Sequence, residues 1–443
     1  MTEVLPRPDA DAGVDADVRE TVAVLRPELE RRLGGVHDAG QLTATQYREL
    51  VEQAIVTALV GYGRQLVRAG RGVLPESTLA RVRQTLLDTF TGSAGLQRLL
   101  DDEGIETINI NGHDNVWVQR RDGTKVRVGP VAASEAELQA LIREEGVAAG
   151  RRGSHYRRFD AAEPELSVQL AGGGRLHALM DVTDRTSVSI RLFPARSDTL
   201  DELVTFKYTL TPTMARFLRA LVEARRNIVV SGGPAVGKTT LLTALIDAIP
   251  PQRRIIVVED TRELLVDGDR HPDLVRIQTR QANSEGAGEW DMSRALRASL
   301  RMTPDVVVVG EARGAEVVWM FKAMSMGVDG SMCTIHASSS GQALLKLVTY
   351  AMEPPARYPR EAAVAAMASA VHFVVHLEPS GGRRVVSSIR EVLGSDGDQI
   401  VSNEIYRPGP DKRALPYSQL SADTLDRLAA VGFDPALPDA DRW

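Results

Sequence analysis

Cysteine is almost absent from this sequence, since Cys333 is the only one in 443 residues. The chain can therefore form neither an internal disulfide framework nor a cysteine zinc site, and such cysteine usage fits a reducing compartment. Lysine is also scarce: six of the 53 basic residues are lysines and 47 are arginines. We attribute this excess of arginine to codon usage rather than to phosphate recognition.

Long apolar runs are missing too. No run reaches about 18 apolar residues, so the sequence predicts no transmembrane helix, and the acidic start MTEVLPRPDADAG lacks the apolar stretch of a signal peptide. The formal net charge of −6 gives no support to general nucleic-acid binding. We expect a cytoplasmic protein with no membrane span and no nucleic-acid partner. If it acts at a membrane, partner proteins must attach it there.

The pattern of apolar residues divides the chain into five segments. Residues 1–13, rich in Asp, Ala and Pro, are predicted to be a disordered tail. Residues 14–98 repeat apolar positions every three or four residues and are predicted to be a helical extension. Residues 99–196 combine short strands with a helix, which predicts an α+β domain. Residues 197–208 are the predicted linker. Residues 209–443 alternate short apolar strands with helices, which predicts a doubly wound α/β domain with a mainly parallel sheet.

The most specific motif is GGPAVGKT, which fits G-x-x-x-x-G-K-[ST] between a predicted strand and a predicted helix. Its glycines let backbone N–H groups wrap phosphates, and the helix N-terminus adds a positive end. We expect Lys238 to reach the β- and γ-phosphates and Thr239 to hold Mg²⁺. No N-K-x-D motif occurs, so ATP is favoured over GTP. The predicted ATP-binding residues are Gly232, Gly233, Pro234, Ala235, Val236, Gly237, Lys238, Thr239 and Thr240.

Acidic residues follow two predicted strands. DVVVVGE ends at Glu311, and IIVVED ends in Glu259 and Asp260, with Glu263 shortly after. Ligands of open α/β sheets bind at the carboxyl ends of the strands, so we expect Glu311 beside Mg²⁺ and the attacking water. Three acids at one strand end repel one another unless a cation or an arginine lies nearby. This favours a metal or nucleotide site over a solvated surface. As the functional acid of this segment, Glu259 is an alternative to Glu263.

A histidine follows a further short apolar strand, in SMCTIHASSS. The residues alone leave two interpretations of His336 open. It is either a satisfied core residue or a phosphate sensor or proton donor, a role that imidazole suits because its charge changes near neutral pH.

Taken in order, several segments resemble those of the type II/IV secretion ATPases, and most of all the CpaF-like branch that drives tight-adherence pili. The similarity covers about Leu99 to Leu393. LLDDEGIETINING resembles the opening strand of the family's N-terminal domain. GGPAVGKTT resembles its Walker A loop, and VVEDTREL resembles its Asp box. RIQTRQANSEGAGEW followed by LRASLRMTPDVVVVGEARGAE resembles its arginine segment and atypical Walker B, and MGVDGSMCTIHASS resembles its His box.

This resemblance implies an α/β fold in which a RecA-like P-loop NTPase domain follows an α+β N-terminal domain and a helical N-terminal extension, with ATP between the two domains. It also implies a homo-hexameric ring, peripherally associated with the cytoplasmic membrane through inner-membrane platform proteins of a pilus or secretion machine.

The resemblance also implies roles for individual residues. Glu263 and Glu311 would order water and Mg²⁺, with Thr239 and Glu311 as the metal ligands. Arg175 and Arg191 would reach the γ-phosphate from the N-terminal domain, and His336 would be the second histidine of the His box. One departure is Val328, where the family often has a histidine.

Three functions remain open at this stage. The first is a motor that hydrolyses ATP to drive pilus assembly or protein secretion. The second is a nucleotide-dependent scaffold with negligible hydrolysis, which only Val328 supports. The third is a DNA-directed motor of the RecA type, which the net charge of −6 disfavours.

Overall fold

The computed structural model describes residues 10–33, 44–90, 96–132, 134–151, 158–170, 173–193, 197–280, 282 and 286–434. The chain forms two compact units, Met1–Phe193 and Pro194–Trp443. In the described part, no helix is both long and apolar enough to cross a membrane.

Three helices open the N-terminal unit: α1 (Ala10–Leu33), α2 (Ala44–Arg68) and α3 (Glu76–Phe90). They share a small apolar core to which each contributes one face, with Val51 and Ile55 four residues apart on α2 and Val82 and Leu86 four apart on α3. Helix α1 begins inside the predicted tail 1–13, of which residues 1–9 lie outside the described residues.

The rest of this unit is an antiparallel sheet with two helices. In the described part the sheet has six strands in the order β3-β2-β1-β6-β5-β4. Alternate residues along the strands are buried and join Leu138 and Ile142 of α5 in one core, so the sheet has an apolar face and a more exposed polar face. The elements are α4 (Leu96–Leu100), β1 (Ile105–Asn111), β2 (Val116–Arg120), β3 (Lys125–Val128), α5 (Glu135–Arg151), β4 (Glu165–Leu170), β5 (Gly174–Leu179) and β6 (Ser187–Leu192).

The C-terminal unit is built on a larger sheet, with nine strands in the described part in the order β15-β14-β13-β12-β7-β11-β10-β8-β9. Its strands are β7 (Ile228–Gly232), β8 (Ile255–Glu259), β9 (Leu274–Gln278), β10 (Val306–Val309), β11 (Met332–His336), β12 (Phe373–Ser380), β13 (Arg383–Asp396), β14 (Gln399–Pro408) and β15 (Ala414–Pro416). Its helices are α6 (Leu200–Thr205), α7 (Pro212–Glu223), α8 (Lys238–Asp247), α9 (Met292–Ser299), α10 (Val317–Ser325), α11 (Ser340–Met352), α12 (Arg360–Ala370) and α13 (Ala422–Ala430).

Helices cover both faces of the parallel part of this sheet. Val230 and Val257 pack in a core with α7 and α8, while Val229 and Val258 pack in a second core with α9 to α12. Strands β12, β7, β11, β10, β8 and β9 are parallel, whereas β13, β14 and β15 extend the sheet with antiparallel pairs. The strands that carry the sequence motifs are therefore central and buried on both faces.

The segment 197–208, predicted to be a linker, contains helix α6. Thr199 and Glu202 form a capping box at its start, and Leu200 and Leu203 are buried in the core shared with α7 and α8. Most of this segment therefore folds onto the C-terminal unit. The other domain boundaries stay a prediction.

Candidate functional site

The loop between β7 and α8 has a backbone conformation that requires glycine at two positions. A Cβ on Gly232 would lie 2.7 Å from the carbonyl oxygen of Leu377 on the neighbouring strand β12, so a side chain does not fit there. Gly237 has φ 91°, a left-handed conformation that glycine adopts without steric cost, and Ala235 adopts φ 56°. These two residues turn the chain so that it enters α8 directly from the loop.

Helix α8 begins without a side-chain cap. Its N-cap residue is Gly237, which offers no side-chain acceptor, whereas α7, α9 and α11 are capped by the side chains of Thr211, Asp291 and Ser339. The first N–H groups of a helix have no partner within the helix and attract anions. The loop and the start of α8 therefore have the geometry of an anion site, and their binding of nucleotide phosphates stays a prediction.

Three predicted site residues meet at one edge of the sheet. Lys238 Nζ lies 3.2 Å from His336 Nδ1, and His336 Nε2 lies 2.8 Å from Glu311 Oε1. Lys238 also donates a hydrogen bond of 2.7 Å to the carbonyl oxygen of Gly233, within the loop. They meet because β7, β11 and β10 are neighbouring parallel strands, whose carboxyl ends lie side by side.

His336 lies at this site and is not a core residue. Burial and the Lys238 ammonium group lower its pKa below the usual value, although Glu311 acts in the opposite direction. Because an ammonium group only donates, Nδ1 accepts from Lys238 and the proton of the neutral ring is on Nε2, facing Glu311. The 2.8 Å approach lacks hydrogen-bond geometry, and Glu311 Oε1 is buried without a hydrogen-bond partner among the described residues.

Arg313 is a functional candidate that the sequence argument missed. Its Nε donates to Glu311 Oε2 at 2.6 Å, and its Nη1 lies 3.3 Å from Asp260 Oδ2. Burial lowers the pKa of the guanidinium, but Glu311 and Asp260 raise it more, so that it exceeds its usual value. Repulsion among the acids predicted a nearby cation. The signal that could have identified it is Arg313 itself, two residues after Glu311 in the motif GEARG.

Glu259 and Glu263 have different surroundings. It is only 3% exposed, and its Oε1 accepts hydrogen bonds of 2.9 Å from the backbone N–H groups of Glu263 and Leu264. Burial raises its pKa to about 7. The Glu263 side chain is half-buried instead, and it is close enough to Arg313 to raise the pKa of that guanidinium.

Magnesium would find few ligands in the protein itself. The described residues contain no cluster of three or more His, Cys, Asp or Glu that could hold a metal ion. Mg²⁺ commonly binds one or two carboxylates together with substrate phosphates and water. Glu311 and the half-buried Thr239 and Thr240 at the start of α8 fit that mode of binding.

Val328 lies at the opposite edge of the sheet from these residues. It precedes β11, and the loop that contains it is held by a hydrogen bond of 3.1 Å from Arg225 to Asp329 and one of 2.9 Å from Gly330 to Asn227. The five residues of β11 span about 16 Å, at roughly 3.3 Å per residue, and His336 is at the far end. The departure from the family pattern is therefore remote from Lys238 and Glu311 within the C-terminal unit.

Arg175 and Arg191 belong to the N-terminal unit. They are directly opposite each other on the antiparallel strands β5 and β6, and Arg191 Nη2 lies 3.6 Å from Glu106 Oε1. Like charges at directly opposite positions destabilise a sheet. The two arginines are therefore neighbours on the polar face of this sheet, with the Glu106 carboxylate close to one of them.

The family is decided by similarity over most of the chain. The profile of the type II/IV secretion system protein family matches residues 91–380, about two thirds of the sequence. The chain belongs to this family. A Mycobacterium tuberculosis protein named for conjugal transfer is 35% identical over 327 residues, covering 72% of this chain and 88% of that protein. The conjugal transfer protein TrbB of Rhizobium radiobacter is 30% identical, covering 67% of this chain and 86% of its own length.

Among solved structures, this family member is similar to the VirB11 ATPase of the Brucella suis type IV secretion system. The identity is 25%, the match covers 67% of this chain and 91% of that one, and the TM-score is 0.36. Family membership together with the sheet order confirms the predicted fold class: a RecA-like P-loop α/β domain preceded by an α+β domain and a helical extension.

Proposed function

We propose that this secretion-family protein is an ATPase motor, which hydrolyses ATP to drive pilus assembly or protein secretion across a membrane. The observation that supports this most is the contact of Lys238, His336 and Glu311 at the uncapped start of α8. A phosphate-binding loop alone serves many functions, but a carboxylate and an imidazole beside its lysine supply the groups that phosphoryl transfer to water requires.

Each residue then has a distinct task. The N–H groups of the loop and the Lys238 ammonium group bind the phosphates and offset the negative charge of the transition state. The hydrogen bond from Lys238 to Gly233 must exchange for one to a phosphate oxygen when ATP binds. Bound Mg²⁺, held by Thr239 and Glu311, would supply further charge compensation. Glu311 and Glu263 orient the attacking water, and the Nε2–H of neutral His336 is available to donate toward the phosphate.

The two arginines of the N-terminal unit complete the proposal. A P-loop site on one RecA-like domain is open to water on one side, so further γ-phosphate contacts must come from another domain or subunit. We assign them to Arg175 and Arg191, because a guanidinium matches phosphate geometry and because their opposed positions on β5 and β6 favour a bound anion.

The assembly that follows is a homo-hexameric ring of the CpaF-like branch, held at the cytoplasmic side of a membrane by platform proteins of a tight-adherence pilus or secretion machine. The ordered motifs from Leu99 to Leu393 support the branch, and the lack of a membrane-spanning helix in the described part is compatible with peripheral attachment. The scaffold hypothesis rested on Val328 alone, and the distance of Val328 from Lys238 and Glu311 argues for the motor instead.

Phosphate release by the purified protein with ATP and Mg²⁺ tests this function. We expect steady turnover in the wild-type protein and none in a folded Lys238→Ala variant, because the phosphoryl charge is then uncompensated. Lys322→Ala is the matched control, since Lys322 on α10 contacts the ring of Trp319 instead. Wild-type turnover in Lys238→Ala would exclude this site, and absence of turnover in the wild-type protein would exclude the motor.

A further inference from the structure

The loop that carries Glu263 has no regular structure to hold it. Residues 260–267, between β8 and the next turn, form neither helix nor strand. A catalytic carboxylate must nevertheless be held within a fraction of an ångström of its productive position, because a displacement of about 1 Å can cost about a hundredfold in rate. Some contact outside the backbone ladder must therefore fix this loop.

Leu264 and Val266 are buried in the core and hold part of this loop, and the Glu259 side chain supplies the contact at Glu263 itself. Its Oε1 accepts from the N–H of Glu263 and from the N–H of Leu264, each at 2.9 Å. These two amides flank the Cα of Glu263. When both are bound to one oxygen, the position of that Cα and the direction in which the Glu263 side chain leaves the backbone are set together.

Glu259 is itself held firmly. It is the last residue of the buried strand β8 and is almost fully buried. On its other side is Gly310, where a Cβ would approach Glu259 Cγ to 3.0 Å, and the N–H of Gly310 donates to Val258 at 2.9 Å. Gly310 immediately precedes Glu311, so Glu259 packs between the two loops that carry the acids of the site.

We propose that Glu259 is a positioning residue: its Oε1 fixes the backbone of Glu263 and so aims that carboxylate at the reacting phosphate. Glu259 acts as a hydrogen-bond acceptor and takes no direct part in water activation or metal binding. This inference rests on the proposed function, since it is there that Glu263 has its role.

Two substitutions of similar volume separate the acceptor from the charge. Glu259→Gln keeps an Oε1 that accepts both backbone bonds and removes the charge. Glu259→Leu removes the acceptor and leaves both amides without it. A catalytic or metal-binding role would be lost in both variants, whereas a positioning role is lost only in Glu259→Leu.

The first measurement is amide hydrogen exchange of the segment 260–267, which does not depend on activity. We expect Glu259→Gln to protect the Glu263 and Leu264 amides as the wild-type protein does. In Glu259→Leu these amides should exchange about tenfold faster or more, in line with the loss of hydrogen bonds to a buried acceptor. Equal protection in all three proteins would overturn the inference.

The second measurement is phosphate release, analysed as a double-mutant cycle with Glu263→Ala. Turnover of Glu259→Gln should stay within about threefold of wild type, while Glu259→Leu should lose about tenfold or more in kcat with little change in KM. On the Glu263→Ala background, Glu259→Leu should cause no further loss, because the group that it positions is gone. Losses that multiply, or a Glu259→Gln variant as slow as Glu259→Leu, would overturn the inference.

Failure of this inference can be distinguished from failure of the proposed function. A wild-type protein without turnover disproves the motor, while hydrogen exchange still reports whether Glu259 fixes the loop. If Glu259→Leu does not fold, Glu259→Gln decides together with hydrogen exchange. Protected Glu263 and Leu264 amides with turnover like that of the wild type support positioning, while unprotected amides in the wild-type protein, or a loss as large as that of Glu263→Ala, overturn it.

Discussion

At the scale of single residues, the acids Glu259, Asp260 and Glu311 differ in their burial and in their hydrogen-bond partners. Glu259 is buried on backbone amides, Asp260 is exposed and accepts from Thr279 Oγ1 at 2.6 Å, and Glu311 shares Arg313 with Asp260. Their mutual repulsion is relieved by burial, hydrogen bonding and one guanidinium. Burial, hydrogen bonding or the nearby guanidinium therefore sets the role that we propose for each acid.

Glu311 provides the sharpest test at this scale. We expect Glu311→Gln to bind ATP but to lose about a hundredfold or more in turnover, as is typical when a positioned catalytic group is lost. The measurements are nucleotide binding and phosphate release on the same preparation. Glu316→Gln is a suitable control, since Glu316 is a nearby acid whose carboxylate accepts from the backbone of Arg313 and Gly314. A Glu311→Gln protein that cannot bind ATP would show that this acid has a structural role.

At the scale of elements, the buried Asn227 side chain joins the strands of the central sheet at the end away from the phosphate loop. The Asn227 side chain, at the start of β7, donates to Met324 and Ala370 and accepts from Gly330 and Ser331. Its backbone N–H donates to His372 Nδ1 at 2.9 Å. This network fixes β7, β11 and β12 relative to one another, so that their carboxyl ends bring Lys238 and His336 together.

The histidine of this network predicts a pH dependence of stability. Burial and the nearby arginines lower the pKa of His372 from 6.5 to about 4. Between these values the unfolded chain binds a proton that the native imidazole, already accepting from Asn227, does not. Stability is therefore complete above pH of about 6.5 and falls as the pH drops toward about 4, by at most about 3 kcal/mol.

Denaturant unfolding of the wild-type protein and of His372→Asn between pH 8 and 4.5 measures this contribution. The asparagine Oδ1 can replace Nδ1 as the acceptor but does not titrate. The free energy of unfolding of the wild-type protein should fall relative to that of His372→Asn as the pH is lowered across this range. Because His376 also has a lowered pKa, only the difference between the two proteins is informative, and a difference that is constant with pH would contradict the prediction.

At the scale of the whole molecule, the proposed ring predicts that the protein forms oligomers. Closure of a ring requires head-to-tail contacts between subunits, and γ-phosphate contacts from Arg175 and Arg191 would couple the nucleotide state to the position of a domain. We therefore expect the protein to form oligomers, and to do so more completely with a non-hydrolysable ATP analogue. Light scattering with and without the analogue measures this.

The arginines give the matching activity prediction. Arg191→Ala should lower turnover while most of the ATP affinity remains, because it removes only a contact to the terminal phosphate, and Arg175→Ala should behave similarly. Arg127→Ala on β3, an exposed strand arginine of the same sheet, is the control. A protein that is monomeric at every concentration and nucleotide state, with both variants fully active, would refute the ring.

The sequence by itself determined those features that depend on residues close together along the chain. The phosphate loop, the apolar strands before it and before Glu311, and the α/β fold class follow from local spacing and periodicity. Spacing also placed Glu311 and His336 after apolar strands and Lys238 at the start of a helix that follows another. Residues at the carboxyl ends of buried parallel strands meet at one edge of the sheet.

Only the tertiary structure decided which of these side chains meet. Arg313 and Asp260 are 53 positions apart, and no local pattern links them. Helix α6 forms in the predicted linker because Leu200 and Leu203 are buried against α7 and α8, and burial is a property of the folded unit. In the sequence, Glu259 and Glu263 are two glutamates of one motif that cannot be told apart. The strand buries the first and leaves the second half-exposed, because burial depends on the sheet and the loops packed around it.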